Sequence, residues 1–245
     1  ARVTGPVALV TADMGKGSGL ADAKSVYLEA YLAPFKDWLE RESVTEILVN
    51  RPGEIWIEDA TQSTMQRIAH PGVDDQLLQR LAEQVARVSH QGINREHPLL
   101  AATLPDGARI QLCGPPATRG HWALAIRRHR LVNLRLDDYD RGPIAKAAPK
   151  PQPDPINAPI DFLRDAVQRR CTILVSGGTS SGKTTFLNAM LREIPAEDRV
   201  VLVEDTAELR LPNANGVGLI AVKGELGEAK VSADDLLQAA LRLRP

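Results

Sequence analysis

Apolar positions at three-to-four-residue spacing open the readable part of the chain: Val26, Leu28, Tyr31, Leu32, Phe35 and Leu39 predict a helix from Asp22 onward. Two short runs follow at residues 45–50 and 54–59, joined by Arg51-Pro52-Gly53, whose turn chemistry predicts paired strands. Residues 73–91 read as an amphipathic helix, with Leu77, Leu78, Leu81, Val85 and Val88 on one stripe and Gly92 as its stop. Residues 99–104 and 108–113 flank Pro105-Asp106-Gly107, a hairpin signal. A further strand, 122–128, alternates Trp122, Leu124 and Ile126 against Ala123, Ala125 and Arg127. These elements predict an α+β domain over residues 22–136, an antiparallel sheet with helices. Residues 1–21 carry no sustained period and are expected to form a flexible arm.

The pattern then stops. Pro143, Pro149, Pro151, Pro153, Pro155 and Pro159 are six of the chain's 17 prolines. Closely spaced prolines fit neither a helix nor a central strand, so residues 137–159 are expected to be an extended, semi-rigid linker and a domain boundary. Beyond it the period switches. A helix at 160–170, a buried-type strand at 171–176, a helix at 183–193, strands at 200–203 and 217–222, and a final helix capped by Ser232 with Asp235 three residues on are expected. Strands alternating with helices predict parallel βαβ units, hence an α/β domain over residues 160–245.

Between the expected strand 171–176 and helix 183–193 lies Gly177-Gly178-Thr179-Ser180-Ser181-Gly182-Lys183-Thr184, a full match to G-x-x-x-x-G-K-[ST] in strand–loop–helix context. Glycines at the ends allow consecutive backbone amides to turn inward around a phosphate, and the amides and dipole of the following helix add positive potential. Lys183 can bridge β- and γ-phosphates, and the Thr184 hydroxyl is placed to ligate Mg²⁺. The loop, with Gly177, Gly178, Thr179, Ser180, Ser181, Gly182, Lys183, Thr184 and Thr185, is the expected ATP-binding segment. Glu204 and Asp205 end the next strand, with Glu208 beyond. Ligands sit at the carboxyl ends of parallel strands, so these acids are expected to hold Mg²⁺ or orient the attacking water; an ordinary turn and helix cap is the alternative.

Composition narrows the class. The 245 residues are 43% hydrophobic and 25% charged with a net charge of −1, enough apolar material for a packed core. Near-zero charge argues against a generally nucleic-acid-coated protein, and sequence-specific nucleic-acid binding is not expected. No apolar run approaches the ~20 residues a membrane span needs. With Cys113 and Cys171 alone, a disulfide scaffold is excluded and a cytoplasmic location is expected. The five histidines show no metal spacing, and Trp38, Trp56 and Trp122 are expected in core or interface.

The phosphate-loop sequence, followed by Val203-Glu204-Asp205-Thr206-Ala207-Glu208-Leu209, resembles the secretion traffic ATPases. Ile47-Leu48-Val49-Asn50-Arg51-Pro52-Gly53-Glu54-Ile55-Trp56, Leu104-Pro105-Asp106-Gly107-Ala108-Arg109-Ile110-Gln111 and Ala125-Ile126-Arg127-Arg128 narrow the resemblance to the VirB-type ATPases of type IV secretion and conjugation. It runs from about Tyr27 to Pro245. It implies a RecA-like phosphate-loop ATPase domain, a homo-hexameric ring with ATP and Mg²⁺ between the two domains, and peripheral attachment at the inner membrane. Partners would be inner-membrane secretion-system subunits, including other ATPases, and a translocated protein or nucleoprotein substrate. The Val203–Leu209 stretch matches the family's aspartate box, so Glu204 and Asp205 inherit an acidic role near Mg²⁺, Glu204 as a metal ligand beside Thr184. Arg109 and Arg127 match arginines that approach the phosphates, with Arg128 a less secure neighbour. About twenty extended linker residues span ~60 Å, so the amino-terminal domain is expected to be able to sit over a neighbouring subunit. In the family the final helix leads into a strand bearing the Walker B acid; this chain stops at Pro245, and the ATPase domain is expected to be incomplete. An ATP-hydrolysing motor is the first reading. A non-hydrolysing nucleotide-binding scaffold and a type II secretion or pilus motor are the alternatives.

Overall fold

The structure, a computed structural model, describes residues 20–128, 152–224 and 229–245. The expected arm lies outside these residues apart from Leu20 and Ala21, and so does most of the expected linker.

The amino-terminal half is the α+β unit that the pattern predicts. Helix α1 (Leu20–Leu32) gives way to a 3₁₀ turn at Ala33–Phe35 and a single helical turn, α2 (Lys36–Leu39). Pro34, at the start of the 3₁₀ turn, lacks the amide that would continue the helical ladder, so the long predicted helix breaks there. Strands β1 (Val44–Val49), β2 (Glu54–Asp59), β3 (Gln66–Ala69), β4 (Leu99–Thr103), β5 (Arg109–Cys113) and β6 (Ala123–Arg127) form one antiparallel sheet in the order β3-β2-β1-β6-β5-β4. Helix α3 (Asp75–Val88) starts where the Asp74 carboxylate accepts the Leu77 amide at 2.7 Å. Sequence patterning does not find β3: its four residues are mostly exposed and polar, so no alternation marks it.

Both faces of the sheet are covered, and the period-two alternation sorts the residues between them. Ile47, Val49, Ile55, Leu112, Leu124 and Ile126 pack against Leu28, Phe35, Leu78 and Leu81 of the helical layer. Leu48, Trp56, Cys113, Ala123 and Ala125 face the carboxy-terminal half, meeting Val217, Leu219, Leu236, Ala239 and Leu243. The small Ala123 and Ala125 let that second layer approach closely. Trp56 lies in this interface, while Trp38 and Trp122 pack partly buried against the first core. Burial pushes the Cys113 thiol up to about 12, which keeps it protonated and inert.

The carboxy-terminal half contains α4 (Pro159–Gln168), α5 (Lys183–Leu191), β7 (Val200–Glu204), β8 (Gly216–Ile220) and α6 (Ala233–Arg242). Strands β7 and β8 pair in parallel, Val200 opposite Gly216 through Glu204 opposite Ile220, as the alternation of strands and helices requires. Ser232 caps α6 in a full capping box with Asp235, whose carboxyl is held below its usual range by the Ser232 hydroxyl and amide. Ser232→Ala is expected to lower stability by about 1 kcal/mol in urea unfolding, whereas Ser232→Asn keeps most of it.

One predicted element is corrected. Residues 171–176 form no strand and belong to no sheet: among the described residues no strand pairs with them, and Leu174 is 90% exposed. A cavity of about 790 Å³ separates this segment from β7, bordered by Cys171, Ile173, Leu187, Met190, Val201 and Leu202.

A charged seam joins the two halves. Arg199 donates to Asn50 Oδ1 at 2.7 Å, Asn215 Oδ1 at 2.5 Å and the Leu243 carbonyl at 2.7 Å. Asn50 also donates to Asn215 at 3.0 Å. Burial lowers the Arg199 guanidinium to about 10. Glu46 on β1 is 4% exposed, 3.3 Å from Arg244 and 3.5 Å from Arg127, with the Glu58 carboxylate also nearby. Burial outweighs both arginines and raises its carboxyl to about 7. A raised acid favours the protonated folded state, so its contribution is fully present below about pH 4.5 and is lost as pH rises through about 7. Glu46→Gln is therefore expected to gain stability relative to the parent between pH 5 and pH 8, by at most ~3 kcal/mol. Urea unfolding at the two pH values checks this; an unchanged difference between parent and variant would contradict it.

Candidate active site

The phosphate-loop match folds as a tight turn leading into α5. Ser180 and Gly182 take positive φ angles of 60° and 87°, and Gly182 stands at the N-cap, where it adds no side-chain cap to the first-turn amides. A Cβ on Gly177 would lie 2.7 Å from Ser181 Oγ, so a side chain there would push the Ser181 hydroxyl aside. Lys183 opens α5 and its Nζ donates back to the Gly178 carbonyl at 2.5 Å. A short, exposed contact to one neutral carbonyl leaves the ammonium free to move to a better anion. The dipole of α5 and the Lys183 ammonium thus both put positive potential at this turn.

Beside the loop stands the acidic turn after β7. Thr184 Oγ1 donates to Glu208 Oε2 at 3.1 Å. Asn188, one turn further along α5, clamps the same segment, donating to the Glu208 carbonyl at 3.3 Å and accepting the Arg210 amide at 2.7 Å. Thr184, Leu187, Glu204, Asp205, Thr206, Glu208 and Leu209 surround a cavity of about 300 Å³. The oxygen donors around it, a hydroxyl and carboxylates, are the hard ligands that Mg²⁺ takes.

The three acids have different surroundings. Glu204 is 9% exposed and its carboxylate is filled: Oε1 accepts the amides of Glu208 at 3.0 Å and Leu209 at 2.8 Å, and Oε2 accepts Arg119. It therefore points into protein, and Glu208 is the carboxylate that meets Thr184. Asp205 is exposed at the cavity mouth and makes no side-chain hydrogen bond among the described residues. The expected arginines are elsewhere. Arg109 and Arg127 face each other across β5 and β6 and border another cavity, of about 420 Å³, together with Arg242. Arg127 pairs with Glu46, and Arg128 is turned back onto the Arg41 carbonyl. Arg119, which sits in no sequence motif, does reach the acidic turn.

The sequence profile of the type II/IV secretion system proteins matches residues 29–245. The chain belongs to this family. Type IV secretion system protein PtlH of Bordetella pertussis is 41% identical over 239 residues, covering 92% of this chain and 70% of the relative. VirB11 of Brucella suis is 36% identical over 231 residues, covering 88% of this chain and 63% of the relative. The crystal structure of the VirB11 ATPase from the Brucella suis type IV secretion system, in complex with sulphate, superposes with a TM-score of 0.78 at 34% identity. That match covers 92% of this chain and 68% of the solved one. The chain is accordingly a VirB-type traffic ATPase of type IV secretion, as the resemblance of its hairpin, loop and aspartate-box motifs implies. The motifs are spread over both halves of the chain, and the match follows them through both.

Proposed function

We propose that the chain binds ATP with Mg²⁺ at residues 177–185 and hydrolyses ATP as a subunit of a homo-hexameric motor. The motor would energise substrate transfer or pilus assembly in a type IV secretion or conjugation machine. The observation that carries this reading is the Gly177–Thr185 turn, glycine-closed and cationic, standing directly against an acidic turn through Thr184 and Glu208. The sulphate named with the Brucella suis structure is a tetrahedral oxyanion of the kind such a turn accepts. A RecA-like core is the domain reading that fits the parallel β7–β8 pair.

In this mechanism the loop amides and α5 hold the β-phosphate, and Lys183 leaves Gly178 to span the β- and γ-phosphates. Bound Mg²⁺ would supply charge neutralisation on the phosphate oxygens. Thr184 offers its hydroxyl to the metal, with Glu208 and Asp205 as the accessible carboxylates and Glu204 acting behind them. Asp205, which makes no side-chain hydrogen bond among the described residues, would orient the attacking water. Arg109 and Arg127 would stabilise transition-state charge from the amino-terminal sheet of an adjacent subunit, since within one chain they border a different cavity.

Among the described residues no helix is long and apolar enough to cross a membrane. The subunit would be cytoplasmic and held at the inner membrane by partner proteins. Those partners would be other secretion-system subunits and ATPases, with a translocated protein or nucleoprotein as cargo. The test is steady-state phosphate release by the full-length protein. Arg109→Ala and Arg127→Ala are each expected to lower kcat by at least ~10-fold while ATP binding is kept. Tight ATP binding without turnover in the unaltered full-length chain would replace the motor with a scaffold.

A further inference from the structure

The β5–β6 connection leaves the amino-terminal sheet and docks on the other half. The Ile220 amide donates to the Ala117 carbonyl at 2.9 Å, and Thr118 bridges to Leu219 of β8. Arg119 follows, its side chain crossing β8 directly over Gly218. A Cβ on Gly218 would stand 2.5 Å from Arg119 Nε and 2.6 Å from Cδ, so the crossing exists only because that position is glycine. At its far end Nη2 donates both to Glu204 Oε2 and to the Leu209 carbonyl, the latter at 2.9 Å. The other oxygen of the same carboxylate accepts the Glu208 and Leu209 amides. The acidic turn is therefore held from within by one ion pair, while its outer side presents Glu208 to Thr184.

We infer that Arg119 is a positioning residue that couples the amino-terminal sheet to the metal side of the nucleotide site, by fixing Glu204 and thereby holding Glu208 against Thr184. This rests on the reading of residues 177–185 as the ATP site. Without the guanidinium, Glu204 is a nearly buried carboxylate with no cation, and it turns outward for water. Its two amide contacts go with it, and the turn keeps only the Asn188 clamp on the Glu208 carbonyl and the Arg210 amide, which leaves the Glu208 side chain less firmly set against Thr184. A lysine keeps the cation, but its shorter side chain and tetrahedral ammonium do not reproduce the position of Nη2 that meets both acceptors. A shift of the sheet over β8 would pass to Thr184 by the same path.

The experiment uses the full-length protein with Arg119→Ala, Arg119→Lys and Gly218→Ala. It reads hydrogen exchange of the 205–210 amides and the Mg²⁺ concentration for half-maximal ATP turnover. Arg119→Ala is expected to speed exchange at Glu208 and Leu209 and to raise the Mg²⁺ half-point by about 10-fold or more, as loss of a charged hydrogen bond implies. Binding of a fluorescent ATP analogue in EDTA stays as in the parent. Arg119→Lys recovers part of both effects, and Gly218→Ala reproduces them by displacing the guanidinium. Should Arg119→Ala not fold, Arg119→Lys and Gly218→Ala decide by the same readings. Lower thermal stability with exchange and Mg²⁺ half-point both unchanged would make Arg119 a simple interface pair and overturn the inference. Failure of the ATP-site reading shows separately, as undiminished analogue binding by Lys183→Ala, while hydrogen exchange still reports on Arg119.

Discussion

Lys183→Ala is expected to abolish ATP turnover and to weaken ATP binding by at least ~100-fold, with thermal stability kept within about 0.5 kcal/mol. The first part follows from the converging geometry: an ammonium that bridges two phosphates makes charge-assisted hydrogen bonds worth ~1.5–3 kcal/mol each, and two of them amount to 100-fold or more. The second follows from what Lys183 does in the folded chain. Among the described residues its side chain makes one hydrogen bond, to the Gly178 carbonyl, and it is half-buried at the loop. Removing a single exposed contact of that kind costs little. Isothermal titration with ATP and a thermal melt, run on the same preparations, read both parts. Retained binding would mean that the loop is not the nucleotide site.

Leu48→Asp is expected to have the largest effect on the fold. Leu48 on β1 is fully buried against Trp56, Ala125, Leu219 and Leu236, at the centre of the layer between the two halves. A carboxylate there has no partner in an apolar setting, and placing it costs several kcal/mol on top of the lost packing. For a chain of this size that is a fall in Tm of roughly 10 °C or more, or two separate transitions where the parent shows one. If the sheet instead presented this face to water, the substitution would leave the melt unchanged. The same measurement therefore tests whether the two halves pack on each other as described.

How far the sequence carries can be read from particular elements. The sheet strands were legible because Leu124 and Ile126 alternate with Ala123 and Ala125, and because Pro105-Asp106-Gly107 is unambiguous turn chemistry. What alternation does not say is that the alanine face is also buried; that depends on β8 and α6, more than ninety residues away. Strand β3 escaped because it is an exposed edge, where no apolar pattern is needed. Segment 171–176 looked like a strand because Ile173, Leu174 and Val175 are apolar, yet a ladder needs a neighbour and composition does not supply one.

The site divides in the same way. A glycine with positive φ at position 182 and a lysine at a fixed spacing are local requirements, so the turn at residues 177–184 can be read directly from the sequence. The division of labour between Glu204 and Glu208 is tertiary. It turns on which acid an arginine from the other half reaches, and Arg119 sits in no motif. The spacing could place an acidic turn beside the loop but not say which carboxylate faces Thr184.

The most direct test is a structure of the full-length protein with a slowly hydrolysed ATP analogue and Mg²⁺. The predicted result has the γ-phosphate within hydrogen-bond reach, ~3 Å, of Lys183 Nζ and the loop amides, with Lys183 released from Gly178 and Thr184 Oγ1 on the metal. Nucleotide bound away from residues 177–185, with Lys183 still on the Gly178 carbonyl, would contradict it.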